Sequence, residues 1–223
     1  MATSKNEAQA AQDEAQAQSA DGVAVQAASK VSSDIDPSLS TVGQPVEGGC
    51  VWFDFSPDGA TLPTDATTSM STLANFESAG ELSSDGVTFS KSVTSSKLKG
   101  WHNVTLAVPI TDEERTVKMT LVEPNRPTAA KAYYGKDSVE AADDGSVAKI
   151  TDKSGVSIAV ACVVDELESN GKLRRTVIPK MVIDSFDDVQ HQAGALVGYG
   201  ITGTVVKLTG KDLKYVYRAK PAE

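Results

Sequence analysis

Val156-Ser157-Ile158-Ala159-Val160-Ala161-Cys162-Val163-Val164 carries the longest apolar face in the chain, and its phase decides the fold. Val156, Ile158, Val160, Cys162 and Val164 recur at every second position, the period of a β-strand. The same period returns on either side. Upstream, Val117, Met119 and Leu121 face one way while Thr116, Lys118 and Thr120 face the other. Before them, Val104, Leu106, Val108 and Ile110 alternate with Thr105 and Ala107. Short apolar runs at residues 50–55 and 87–94 come earlier still, the second after the turn pair Asp85-Gly86. Downstream, residues 174–184, 201–208 and 213–217 continue the set, with Asn170-Gly171 and Gly210 as turns. Short strands between regular turn signals predict a mainly β fold, a sandwich or barrel.

Two segments break this rhythm. Residues 65–78 carry Met70, Leu73, Ala74 and Phe76 at near-helical spacing, with Asp65 as the N-cap and Gly80 as the stop. Residues 125–134 have Pro127 near the start and Gly135 past the end, the expected order for one short helix flanking the strands. Residues 1–45 form a low-complexity N-terminal arm, and residues 46–223 the β domain. The arm holds six acidic and two basic residues, a net of −4, and lacks aromatic side chains. Ser4-Lys5-Asn6-Glu7 fits a capping box for a short helix over residues 6–18. Without apolar anchors, the arm is expected to be disordered or extended.

Composition narrows the function. The formal net charge of −9 argues against a sequence-independent nucleic-acid binder, which needs Lys and Arg to displace phosphate counterions. Two cysteines in 223 residues are not a disulfide scaffold, and Cys162 reads as a buried thiol. The first ten residues have no apolar stretch of the kind a secretory signal needs, and no run approaches the roughly 20 apolar residues that span a bilayer. The expectation is a soluble protein made in a reducing cytoplasm and having no membrane partner. His102 and His191 stand alone, so no metal is expected. Asp143-Asp144-Gly145 and Asp187-Asp188 lack the ligand pattern of a calcium loop, and no nucleophile or phosphate-loop motif occurs. No catalytic residue and no cofactor are expected.

One ordered set of motifs is more specific. Gly59-Ala60-Thr61-Leu62-Pro63-Thr64-Asp65-Ala66 is followed by Ala79-Gly80-Glu81-Leu82-Ser83-Ser84-Asp85-Gly86-Val87-Thr88. Then come Thr116-Val117-Lys118-Met119-Thr120-Leu121-Val122-Glu123-Pro124-Asn125, Tyr133-Tyr134-Gly135 and Arg174-Arg175-Thr176-Val177-Ile178-Pro179-Lys180-Met181-Val182. In this order, over about residues 48–217, they resemble the major tail-tube proteins of long-tailed, siphovirus-type bacteriophages of actinobacterial hosts. Leu82 stands where that pattern usually has Ile or Val.

The resemblance implies a non-enzymatic structural virion protein. Its flanking helix would sit on a β-sandwich whose inner strands complete a barrel between subunits. Hexameric rings would stack into the tail tube that delivers the genome. The implied partners are further copies of the chain, a tape-measure protein, tail-end proteins, and double-stranded DNA in transit without specific binding. The implied place is the virion tail, after synthesis in the host cytoplasm. On this reading the long connection at residues 57–79 contacts a neighbouring subunit or ring through Leu62, Pro63, Met70, Leu73 and Phe76, because long connections are commonly functional. Three alternatives stay open: a tail-terminator or head-completion ring protein, an immunoglobulin-like adhesion or decoration module, and an enzyme on a β-sandwich.

Overall fold

The computed structural model describes residues 40–46 and 50–219. Its strands are β1 (Gly43–Pro45), β2 (Val51–Asp54), β3 (Glu77–Ser78), β4 (Leu82–Ser95), β5 (Leu98–Lys99), β6 (Thr105–Ala107), β7 (Ile110–Leu121), β8 (Val139–Ala141), β9 (Val147–Ile150), β10 (Ile158–Glu168), β11 (Leu173–Phe186), β12 (Tyr199–Val205) and β13 (Tyr215–Ala219). Among the described residues there is one α-helix, α1 (Pro127–Tyr134), between β7 and β8. Nine strands form one antiparallel sheet in the order β3-β2-β10-β11-β12-β7-β4. β1 joins β10 beyond the end of β2, and β13 joins β11 beyond the end of β12. The expected helix on 6–18 and most of the expected arm lie outside the described residues.

β10 is the centre, and it is buried on both faces. Ile158, Val160, Cys162 and Val164 point into the main core, while Ala161 and Val163 point into a second, smaller one. Its partner β11 cannot follow strict alternation, because Lys180 would then share the inner face with Ile178. A bulge resolves the conflict: Val160 pairs Met181 and Cys162 pairs Ile178, so β11 has one residue more than β10 across that interval. The bulge spans Pro179, which has no N–H to give a ladder. Past it, Met181 and Ile183 take the inner face and Lys180 turns out to Asp58, 2.9 Å away. A second bulge on β11 lies between Ile183 and Ser185, opposite Gly203 and Thr202 of β12. Gly203 leaves space for Met181, since a Cβ there would lie 2.5 Å from the Met181 Cγ.

The sheet rolls around the main core. Side chains from both halves, such as Phe53 and Val164 from one and Leu121 and Ile201 from the other, meet in a single cluster. Helix α1 closes one side through Ala129, Ala130 and Ala132, whose small side chains allow a close approach. Pro127 opens the helix, and Gly135 ends it at φ +95° with its N–H on the Lys131 carbonyl. An aromatic group fastens the helix end to β12: the Tyr133 and Tyr199 rings stack at 4.9 Å, and the Tyr133 hydroxyl donates to the Asp187 carbonyl.

Several expectations change. Residues 65–78 form no α-helix: a 3-10 turn at Met70–Thr72 is followed by the short strand β3. Asp65 does cap, accepting from the Thr67 and Thr68 N–H groups at 2.8 and 2.6 Å. The Ser and Thr residues that follow compete for the backbone, as when the Thr72 hydroxyl donates to the Ser69 carbonyl, and Asn75 turns the chain at φ +73°. Asp85-Gly86 does not precede a strand. It lies in a bulge of β4, where Leu82 and Val87 are five positions apart in numbering yet face Leu121 and Met119. β10 begins at Ile158, leaving Val156 exposed.

Candidate assembly surface

β4 and β7 continue past the body as a two-stranded ribbon. The pairing of β7 with β12 ends at Thr116, whereas its pairing with β4 runs on to Ile110 and Ser95. β5 and β6 prolong the ribbon, and the chain reverses between Gly100 and Val104 with Asn103 at φ +61°. Polar pairs brace its base: Glu113 bonds Lys91 at 2.9 Å and Arg115 at 2.6 Å. The Lys91 ammonium, hydrogen-bonded to Glu113, is the main cause holding that carboxyl below its ordinary value.

The outer ribbon is apolar and wet. Trp101 is 99% exposed at the tip, Leu106 73% and Ile110 63%, and Val93, Leu98, Val104 and Val108 are exposed as well. A lone two-stranded ribbon is marginally stable in water, and contiguous exposed apolar surface marks an interaction site. The alternation of Val104, Leu106, Val108 and Ile110 predicts a strand like the others, without marking it as a ribbon off the body. Two signals could have found the ribbon: Pro109 inside the run, which demotes it to an edge, and the absence of a charged outer face from residue 104 to 110.

Four of the five residues expected to serve assembly lie together, on the chain's own sheet. Met70 and Phe76 are buried against Ala161, Val163 and Val177, with Leu62 and Leu73 half-buried beside them. Pro63 is buried too. Arg175 holds this loop down. Its guanidinium forks onto Asp165 at 2.7 and 2.8 Å and donates to the carbonyls of Thr68 (2.7 Å) and Asp65 (3.3 Å). The apolar side chains of the loop are therefore largely used within the subunit, and its outer face is mostly polar: Thr64, Thr67, Ser69, Ser71 and Thr72 are exposed.

Chemistry is sparse elsewhere. Among the described residues no group of three or more His, Cys, Asp or Glu side chains is placed to hold a metal ion. His102 sits exposed at the ribbon tip and His191 is exposed in a loop. Cys162 is fully buried, and burial pushes its thiol well up. Burial likewise raises Cys50. A surface cleft of about 390 Å³ lies at the start of β4, where the rolled sheet brings β4 near β1 and β10. Another, of about 420 Å³, lies between Phe55 and Val156.

A family model described as "Phage tail tube protein" matches residues 49–222. No curated protein matches the chain.

Proposed function

We propose that the chain, which belongs to the phage tail tube protein family, a family of structural virion proteins, assembles as closed rings, with six subunits to a ring as the family resemblance implies. The rings stack into the tube through which the genome passes to the host. The subunit acts mechanically, without catalysis or cofactor. It meets further copies of itself along the tube, a tape-measure protein within it during assembly, and tail-end proteins at its limits. It is made in the host cytoplasm and resides in the virion tail.

The observation that carries this reading is the ribbon at residues 91–115, whose apolar tip has no partner within the described chain. Two further features support it. The outer edge of β4 is open along a 14-residue strand, and closure against a neighbour removes such an edge. The net charge of −9 suits a conduit that should not hold phosphates. Negative-stain microscopy of concentrated purified protein tests the proposal. Stacked rings or tubes are expected. Isolated rings that never stack would point to a ring-capping protein, and particles that stay monomeric at every concentration would overturn assembly.

A further inference from the structure

Resting on that tube reading, we infer that the ribbon tip of one copy is a plug and the cleft at the start of β4 is its socket on the next copy. The plug has a distinct chemistry. In residues 96–111 there are two lysines, Lys97 and Lys99, and no acidic residue, in a chain whose net charge is −9. Both lysines are exposed and flank the apolar Leu98, with Trp101 and Leu106 beside them.

The socket is complementary. Pro45, Leu82 and Val87 give it apolar walls, and Glu81, Asp85 and Glu166 line it with acid. Glu166 is already paired with Arg174 at 3.4 Å. Glu81 and Asp85 form no ion pair among the described residues, which leaves two carboxylates for two lysines. The Ser83 hydroxyl, on the same wall, is buried and has no hydrogen-bond partner among the described residues.

Geometry makes the contact directional. Socket and plug sit at opposite ends of one strand: Glu81 and Asp85 at the start of β4, the tip beyond Ser95. A 14-residue strand at roughly 3.3 Å per residue puts them on the order of 40 Å apart. A tip so far from its own socket cannot fill it. Each copy therefore offers one plug and one socket to different neighbours. Such a heterologous contact does not close on itself as a two-fold pair; it runs from copy to copy, into a closed ring or an open stack according to the rotation between them.

Charge reversal tests this. K97E/K99E and E81K/D85K should each remain folded by circular dichroism and urea unfolding, while the concentration needed for tubes rises about tenfold or more. The combined variant K97E/K99E/E81K/D85K should recover tubes, because the pairs are restored with opposite sign. W101A should weaken stacking without changing the fold. If both double variants form tubes at the wild-type concentration, or if the combined variant is as defective as either double, the plug and socket are wrong while the tube reading stands. Wild-type protein that never forms tubes would overturn both.

Discussion

Arg175 is the side chain on which the loop at 57–79 depends. Its guanidinium is buried, and it serves one carboxylate and two loop carbonyls at once. Arg175→Ala would strand the partly buried Asp165 carboxylate and both carbonyls, so the expected loss is about 3–5 kcal/mol, a large share of a total near 5–15 kcal/mol. Urea unfolding measures it, and a loss under about 1 kcal/mol would contradict this role. Asp65 lies at the other end of the same clasp. The Thr68 N–H foremost, then the Thr68 hydroxyl and the Thr67 N–H, hold its carboxyl down at about 2. A depressed carboxylate contributes fully above its ordinary value and loses that contribution as pH falls through the folded one. The local turn should therefore stay intact at pH 4 and loosen as pH approaches about 2. Carbon-detected titration of Asp65 by nuclear magnetic resonance should give a midpoint near that value, and a midpoint at its ordinary 3.8 would refute the capping geometry. The capping role of Asp65 was legible in the sequence because it depends on neighbours two and three residues away. The clasp was not, because Arg175 is 110 residues distant.

Elements were legible where one face is buried, and less so where tertiary context chose the outcome. The period of Val117, Met119 and Leu121 gave their inward face directly, and all three are buried. The Lys180 position was opaque, since a bulge at Pro179 shifts the phase of β11 and nothing in a two-residue period announces one. The ribbon was hidden for another reason. Alternation reports which side chains share a face, and it does not report whether a core lies beneath that face. Val104, Leu106, Val108 and Ile110 alternate as well as any body strand, yet all are exposed. Because they contribute nothing to the core, the ribbon end should be separable from the fold. Joining Ser95 to Ile110 by Asn-Gly in place of residues 96–109 should leave the urea stability of the body within about 1 kcal/mol, as β7 keeps β12 and the inner part of β4 as partners. The same variant should fail to form tubes under electron microscopy. Body unfolding in parallel with lost assembly would mean the ribbon end is structural.

For the whole molecule, the rolled sheet leaves open backbone at its limits. β4 has one partner, β7, and its far edge offers a row of N–H and C=O groups to any other strand. In an isolated protein so long an edge invites uncontrolled pairing. A ring turns the same edge into a specific junction, and a barrel closed across subunits has no edge left. Closure of this kind is not legible from periodicity, since pattern assigns faces to a strand but not the neighbour that completes its edge; the ordered resemblance is what implies it. Hydrogen exchange can test closure directly. The β4 amides that point away from β7 should exchange rapidly in free subunits, where they face water. The β7 amides bonded to β12 should be protected in free and assembled protein alike. On assembly the outward β4 amides should become protected while those of β7 barely change. If they exchange equally fast in tubes and in free subunits, β4 is not the strand that closes the ring, and the junction must lie at the edges formed by β1, β3 or β13.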